Sequence, residues 1–569
     1  MSLYGAQRYG LSFTPQCFPE KIFAKRRKDK AFSLLLRQKH YLCLWIQTKG
    51  IMSKKFPIGI QSFEEIRAND FFYIDKTDLI HQLATRGKYY FLGRPRRFGK
   101  SLLVSTLEAY FQGKKELFKG LAMEQLEQDW KEYPVLHLDL NTQKYDTPEA
   151  LYNILNTTLC HWEKLYGANP SETDEGLRFG GIIRRACAAT GRQVVILIDE
   201  YDKPLLQAIG NEALAAEYRS TLKAFYGVVK SCDPYIRFAL LTGVSKFSKV
   251  SVFSDLNNLL DISMDRRYAT LCGITEEEIH RTFEPELHQL ADATGLTYEE
   301  TCQKLRERYD GYHFCRVSPG IYNPFSLLCT FDKMEFGSYW FETGTPTFLV
   351  ELLKRDRYNL YQMAHEQTTA DVLNSVVPEA LSSIPVLYQA GYLTLKGYDS
   401  RFELYQLGFP NKEVEEGFIN FLLPSYARIN PAEGRFQISR FVQEVEAGDI
   451  DAFFRRLQSF FADTPYELAR DLELHYQNVL FIVFKLIGFY VQAEYHTSEG
   501  RIDLVLQTDR YVYVMEFKLD GTAEEALQQI EDKRYALPFA TDKRQVFRVG
   551  VNFSNRTRNV ERWLVRTLS

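Results

Sequence analysis

Residues 93–101 read Gly93-Arg94-Pro95-Arg96-Arg97-Phe98-Gly99-Lys100-Ser101 and end in the Gly-Lys-Ser of a phosphate-binding loop. The apolar run Tyr89-Tyr90-Phe91-Leu92 precedes this stretch, and a helix-like run from Leu102 to Leu107 follows it. A strand, a glycine loop and a helix in this order place backbone N–H groups and a helix N-terminus around phosphates. We therefore predict a P-loop in which Lys100 neutralises the terminal phosphates and Ser101 holds Mg²⁺.

The spacing of this loop departs from the usual P-loop pattern, in which four residues separate the glycines. Five residues lie between Gly93 and Gly99, and in strict register Arg94 occupies the first glycine position. We predict that Gly93, Arg97 and Gly99 bind the nucleotide together with Lys100 and Ser101. The alternative is a Gly-Lys-Ser turn that merely opens an ordinary helix.

A second element, acidic in character, follows about a hundred residues later. The apolar run from Val194 to Ile198 ends in Asp199-Glu200, as expected of a buried central strand that delivers carboxylates to a magnesium site. Asp199 is the predicted metal ligand, acting through a water molecule, and Glu200 is predicted to orient or deprotonate the attacking water. Acids that only cap a buried strand are the alternative. Both elements in their usual order predict binding of ATP or GTP.

The block from 54 to 335 alternates apolar strands with helical patterns, which predicts an α/β fold with a parallel sheet covered by helices. In such a fold ligands bind beyond the carboxyl ends of the strands, where both elements described above lie. The predicted strands are Tyr89 to Leu92, Val135 to Leu140, Val194 to Ile198 and Phe238 to Thr242.

A different chemistry is encoded in the last block, from 441 to 569. Glu516 and Lys518 are two residues apart on a predicted strand and therefore share one face. Asp503 lies on the preceding strand, across a turn at 507–510, so we expect its carboxylate beside that of Glu516. Two carboxylates and a main-chain carbonyl suit Mg²⁺ or Mn²⁺, and Lys518 is placed to assist phosphodiester cleavage. The alternative is a solvated Glu–Lys pair.

The region around the P-loop resembles a known family. Residues 58–107, including Tyr73-Ile74-Asp75-Lys76-Thr77 and the P-loop, look like the predicted bacterial AAA-ATPase-like domain that is usually fused to a PD-(D/E)XK nuclease. The resemblance continues through 198–204, 242–247 and 253–259, and that family shares the extra P-loop residue. It implies a P-loop NTPase core of the AAA+ or STAND type, with Thr242 or Ser245 where a sensor residue contacts the γ-phosphate.

The C-terminal block resembles the core of the PD-(D/E)XK nucleases. The order is a helix at 472–489, a strand at 490–495, a hairpin, and a helix at 523–535, with matching residues at 500–505, 516–518 and 526–530. This resemblance implies a restriction-endonuclease-like α/β domain. It also implies three secondary site residues, of which Glu473 is an additional acid and Gln529 and Tyr535 line the site.

The chain is thereby divided into four predicted parts. Residues 1–53 form a basic extension that we expect to be disordered, and 54–335 form the ATPase-like domain. From 336 to 440, a helix, a Gly-Tyr-Leu turn and a strand hairpin resemble a winged-helix-like lid, and 441–569 form the nuclease-like domain. Residues 1–51 carry ten Lys or Arg against two acids, while the remainder is acidic. This arm either contacts nucleic acid or an acidic membrane surface, or it precedes a true start at Met52.

Composition excludes several other classes of protein. A chain that is 45% hydrophobic and 14% aromatic is globular rather than disordered. Nine cysteines without a CxxC pair indicate neither a disulfide framework nor a zinc ribbon, and they favour the cytoplasm. The most apolar run, 480–491, is too short to cross a bilayer and contains Lys485.

Three functions are compatible with the sequence. The first is an ATP-regulated, metal-dependent nuclease that cleaves nucleic acid, with DNA as the expected substrate. The second is a STAND-like ATP switch whose C-terminal domain binds nucleic acid or a partner without cleavage. The third is an ATPase motor or remodeller that assembles into a homo-oligomer.

Overall fold

The computed structural model describes residues 54–246, 258–342, 348–364, 366–374, 382–427, 429–430, 432–462, 472–498 and 501–567. Some side chains next to the gaps, including those of Glu473 and Asp503, lie outside the description. The predicted basic extension at 1–53 also lies outside the described residues, as do the resembling residues at 253–257.

The helices are of short to medium length and occur along the whole described chain. Their bounds are α1 Phe63–Ala68, α2 Thr77–Arg86, α3 Lys100–Phe111, α4 Ala122–Leu126, α5 Pro148–Tyr166, α6 Glu175–Thr190, α7 Lys203–Gln207, α8 Glu212–Ser231, α9 Glu276–Thr282, α10 Glu284–Thr294, α11 Tyr298–Tyr309, α12 Pro324–Lys333, α13 Tyr339–Glu342, α14 Phe348–Arg355, α15 Ala370–Leu373, α16 Ser383–Gln389, α17 Lys412–Ala427, α18 Gly434–Ala447, α19 Ile450–Ala462, α20 Leu472–Ile487 and α21 Ala523–Asp532.

The strands fall into an N-terminal group, a short middle group and a C-terminal group. Their bounds are β1 Tyr89–Gly93, β2 Val135–Asp139, β3 Val194–Asp199, β4 Ile236–Gly243, β5 Leu260–Asp261, β6 Ile274–Thr275, β7 Ile321–Tyr322, β8 Gln367–Thr368, β9 Thr394–Asp399, β10 Leu404–Gly408, β11 Gln492–Ser498, β12 Arg501–Gln507, β13 Tyr511–Leu519, β14 Gln545–Ser554 and β15 Asn559–Thr567.

The first sheet has the order β2-β3-β4-β1-β5, and every neighbouring pair is parallel. The expected α/β fold with a parallel sheet is confirmed, and all four predicted strands are present. β5 was not predicted, because two residues carry too little periodicity to indicate a strand. β4 lies between β1 and β3, so the P-loop strand and the acidic strand are second neighbours. Because the strands are parallel, their carboxyl ends lie on the same side of the sheet.

Helix α3 follows β1 directly and is buried on most of its faces, with Leu103, Val104, Leu107 and Phe111 at most 4% exposed. Its N-cap, Gly99, has φ +89°, a backbone conformation in which a Cβ is strained. The glycine therefore permits the tight entry into α3, and the packing of the helix fixes the position of the loop that precedes it.

The middle region contains the small antiparallel sheet β8-β10-β9 with α16 directly before β9. This helix and hairpin match the expected winged-helix-like order. The predicted domain boundary between residues 440 and 441 falls inside α18, so a continuous helix, not a linker, lies at that position. Its buried face, Ile438, Phe441 and Val445, continues across the boundary.

The C-terminal sheet has the order β11-β12-β13-β14-β15, in which only β13 and β14 run parallel. Phe517 of β13 packs near Phe454 of α19 and Phe484 of α20, whereas Val512 and Val514 pack against α21. Helices therefore cover both faces of the sheet, which is the α/β arrangement expected for this domain.

Within the described part of the chain, no helix combines the length and the apolar character that crossing a membrane requires.

Candidate functional site

The P-loop lysine is buried inside its own loop. Lys100 is 4% exposed, and its Nζ donates to the carbonyls of Arg94 and Pro95 at 3.1 and 3.3 Å. The same Nζ lies 3.2 Å from Oε1 of Glu200. Burial acts to lower the pKa of Lys100, but the surrounding carboxylates, chiefly Glu200, raise it above its ordinary value. The lysine is thus a charged donor, and the half-buried Ser101 follows it in the first turn of α3.

The acidic pair ends β3 on the same edge of the sheet. Asp199 is 3% exposed and accepts hydrogen bonds from the hydroxyl of Thr242 and, at 3.1 Å, from the N–H of Glu200. Glu200 has φ +53°, which turns its backbone away from the strand direction. The structure therefore brings Lys100, Asp199, Glu200 and Thr242 to one edge, as the sequence predicted. Their roles in binding and hydrolysis stay predictions.

A third acid, Asp202, belongs to this edge and was not predicted. It is fully buried, and its carboxylate accepts the N–H groups of Val244 at 3.0 Å and Ser245 at 2.5 Å. Burial, together with the negative charge of Glu200, raises the pKa of Asp202 to about 7. The sequence Asp199-Glu200-Tyr201-Asp202 offered a signal, but periodicity does not reveal that the second Asp turns inward to hold the end of β4.

Gly243 makes this contact possible, which leads to a stability prediction. A Cβ at Gly243 would lie 2.4 Å from Oδ1 of Asp202 and 2.8 Å from the ring of Tyr201. We expect Gly243→Ala to destabilise the protein by about 1–3 kcal/mol, because it displaces two buried side chains. The measurement is the thermal unfolding midpoint of the full chain.

The matched control is Gly227→Ala in α8. A Cβ at Gly227 meets no atom within 4 Å, so Gly227→Ala should leave the midpoint unchanged or raise it slightly. Equal midpoints for both variants would contradict the role given to Gly243.

Two arginines of the P-loop, Arg94 and Arg97, have contacts of their own. Arg94 is 1% exposed and donates to the carbonyls of Gly93, Ser263 and Tyr268 at 2.9, 2.7 and 3.1 Å. Arg97 is exposed, and its guanidinium lies 4.5 Å from the ring centroid of Phe325. The structure thus gives Arg97 a packing contact, and its predicted binding of nucleotide stays a prediction. Arg94, the residue in the first glycine position, stabilises the loop through its hydrogen bonds to main-chain carbonyls.

The C-terminal site depends on the register of β12 and β13. Asp503 is paired directly with Glu516 across the antiparallel ladder, as the turn length predicted. Directly opposed residues on neighbouring strands have Cβ atoms about 4.5–5.5 Å apart on one face. On the other side of β13, Gly550 and Asn552 pair with Glu516 and Lys518 in the parallel ladder.

Lys518 occupies the same face as Glu516, toward α21. Its Nζ lies 3.2 Å from Oε1 of Glu516 and donates to Oε1 of Gln529 on α21. Glu516 is fully buried, whereas the Lys518 side chain is 22% exposed. Gly550 allows α21 to approach this closely, because a Cβ there would lie 2.2 Å from the Ala523 carbonyl. The structure therefore assembles the predicted Glu516, Lys518 and Gln529.

Two other predicted site residues, Tyr535 and Glu473, stay predictions. Tyr535 is half-buried and packs against the apolar cluster that contains Val512 and Ile530. Glu473 is the second residue of α20, and its side chain lies outside the description. Asn552, which the sequence did not indicate, lies beside Lys518 in the ladder. It is 7% exposed, and within the described residues its Oδ1 accepts no hydrogen bond.

The described residues at this site suit a hard divalent cation. Glu516 supplies a buried carboxylate, an oxygen ligand of the kind that Mg²⁺ and Mn²⁺ prefer, and metal binding by Asp503 and Glu516 stays a prediction. No group of three or more His, Cys, Asp or Glu able to hold a metal occurs among the described side chains, which do not include Asp503.

Comparison with known proteins matches two separate segments of the chain. The family described as "Predicted AAA-ATPase" matches residues 57–253, and the "PD-(D/E)XK nuclease superfamily" matches residues 471–563. A protein of Azotobacter chroococcum mcd 1, described as an uncharacterized protein in the vnfD 5′ region, is 39% identical over 527 residues. The alignment spans 90% of this chain and 99% of that protein. No solved structure matches the chain.

Proposed function

Since this chain belongs to the family in which a predicted AAA-ATPase domain is joined to a C-terminal PD-(D/E)XK nuclease superfamily domain, we propose that it is an ATP-regulated, metal-dependent nuclease. The observation that carries the proposal is that each domain retains its own cluster of charged residues. Lys100 faces Glu200 at 3.2 Å in one domain, and Lys518 faces Glu516 at 3.2 Å in the other.

At the first site, the chain's own groups bind and position the triphosphate. Lys100 exchanges its contacts with the P-loop carbonyls for the terminal phosphates, and the N-terminus of α3 directs N–H groups at them. Asp199, which accepts the hydroxyl of Thr242, would help to hold Mg²⁺, which would neutralise phosphate charge there, and Glu200 accepts a proton from the attacking water. Release of Glu200 from Lys100 prepares it for this role.

At the second site, Asp503 and Glu516 would hold Mg²⁺ or Mn²⁺, and a metal bound there would polarise the scissile phosphate and lower the pKa of a bound water. Lys518 stabilises the negative charge that develops on the phosphate. Gln529 holds the Lys518 ammonium toward the site, so the amine donates from a fixed position. The substrate class is nucleic acid, with DNA favoured over RNA, and the site of action is the cytoplasm.

The test is cleavage of supercoiled plasmid DNA, and separately of single-stranded RNA, by the full chain in Mn²⁺ with and without ATP. We expect DNA to be nicked or linearised, at a rate that changes when ATP is added. Cleavage that ignores ATP would remove the regulation from the proposal. Intact DNA and RNA in every condition would refute the nuclease function and favour the STAND-like switch. Sedimentation with and without ATP would reveal an assembling motor instead.

A further inference from the structure

Four P-loop side chains between residues 94 and 98 each contact an aromatic ring. The four rings belong to residues that come after the parallel sheet in the sequence. The pairs, with distances to the ring centroid or between ring centroids, are Arg94–Phe314 at 4.0 Å, Arg96–Trp340 at 4.8 Å, Arg97–Phe325 at 4.5 Å and Phe98–Tyr312 at 4.8 Å. Guanidinium–ring and edge-to-face ring contacts of this kind are attractive, and more so where the groups are desolvated. The residues that distinguish this loop from the usual pattern therefore attach it to the region from 312 to 340.

Trp340 is the most deeply anchored of these aromatic residues. Its side chain is fully buried, and its Nε1–H donates to the carbonyl of Arg96 at 3.2 Å. Its backbone N–H donates to Oε1 of Glu413 at 2.9 Å. One residue thus contacts both the P-loop and the start of α17.

Glu413 ties this contact to α17. The carboxylate is fully buried, accepts the hydroxyl of Ser326 at 2.8 Å, and lies in the first turn of the helix. One turn later, a Cβ at Gly417 would lie 2.4 Å from the ring of Phe341. Helices α13 and α17 are therefore in close contact, and a displacement of Trp340 requires α17 to move or repack.

Helix α17 in turn packs along α20, the first helix of the segment 471–563 that matches the nuclease superfamily. Glu415 of α17 pairs with Lys485 of α20 at 2.7 Å. The neighbouring Phe484 lies 5.8 Å, centroid to centroid, from Phe517, which stands between Glu516 and Lys518 on β13. A continuous series of packed groups thus leads from the P-loop to the strand that carries the second site.

We propose that Trp340 is the positioning residue that couples nucleotide binding at the P-loop to the nuclease site, through Glu413, α17 and α20. This inference rests on the proposed function. The change begins at Lys100, whose bonds to the Arg94 and Pro95 carbonyls are replaced when it binds phosphate. The loop then has different contacts in the two states, which is the condition for a ligand to shift a conformational equilibrium.

The test is hydrogen–deuterium exchange of the full chain with and without ATP and Mg²⁺. In the wild type we expect ATP to change exchange in α3, α17 and α20. Trp340→Phe keeps a ring beside Arg96 but removes the Nε1–H donor. It should reduce the response of α17 and α20 at least about fivefold, the lower end of typical coupling between sites, while the response of α3 stays.

The matched control is Trp162→Phe in α5, another buried tryptophan, which packs on Phe179 at 5.6 Å. It should preserve all three responses. Arg96→Lys is the second variant, because it keeps the charge but loses the planar stack on Trp340, and it decides the matter if Trp340→Phe fails to fold. It too should lose the response of α17 and α20.

The outcomes separate the two proposals. Absence of any response in wild-type α3 would refute ATP binding, and the coupling with it. A response in α3 without one in α17 and α20 would overturn the coupling alone. Wild-type responses in α17 and α20 of either variant would overturn the route through Trp340.

Discussion

Lys518→Ala is expected to abolish metal-dependent cleavage, with a rate loss of about 10²–10³-fold, the usual cost of removing one group that stabilises transition-state charge. The lysine lies 3.2 Å from the buried Glu516 carboxylate and is held by Gln529. Because its side chain is partly exposed, the truncation removes little packing from the core of the sheet. The measurement is the initial rate of plasmid nicking in Mn²⁺ without ATP.

Lys543→Ala is the matched control, since Lys543 is an exposed lysine of the same domain. It should cleave at the wild-type rate. Gln529→Ala should show an intermediate loss, because Lys518 keeps its charge but loses the group that orients it. Wild-type cleavage by Lys518→Ala would show that the activity arises from another site or from a contaminant.

The C-terminal site was largely predictable, because strand pairing follows from local rules. The period of two placed Glu516 and Lys518 on one face, and the short turn set Asp503 opposite Glu516, which the register confirms. The position of Asn552 beside Lys518 was not predictable in this way. It depends on the parallel partner β14, which returns after α21, and periodicity does not show which strand will lie beside β13.

In the ATPase-like domain too, local sequence patterns predict the elements but not the contacts between distant residues. The order of β1, the loop and α3 was readable, since each is a contiguous segment with its own pattern. The inward turn of Asp202 and the stacking of Arg96 on Trp340 are contacts between residues 42 or more positions apart. Sequence patterning along one element carries no information about such contacts, so the aromatic partners of the P-loop arginines could not be predicted.

Lys100→Ala is expected to weaken ATP binding at least about 100-fold, because roughly 3 kcal/mol of charge-assisted contact with phosphate is lost. The raised pKa of Lys100 keeps it protonated at neutral pH, so its full charge is available to wild-type binding. The measurement is the Kd for ATP with Mg²⁺, by titration calorimetry. Lys114→Ala is the matched control, since Lys114 pairs only at the surface with Glu64.

Glu200→Gln separates binding from hydrolysis at the same site. It removes the charge that faces Lys100 at 3.2 Å but leaves the lysine, so ATP should bind at least as tightly as in the wild type while turnover falls. If Lys100→Ala bound ATP normally, the Gly-Lys-Ser turn would merely open a helix. If Glu200→Gln hydrolysed ATP normally, the acids would only cap β3. We expect Glu200→Gln to bind ATP tightly without hydrolysing it, and Lys100→Ala neither to bind nor to hydrolyse it. That pair of results requires both residues to act on one triphosphate.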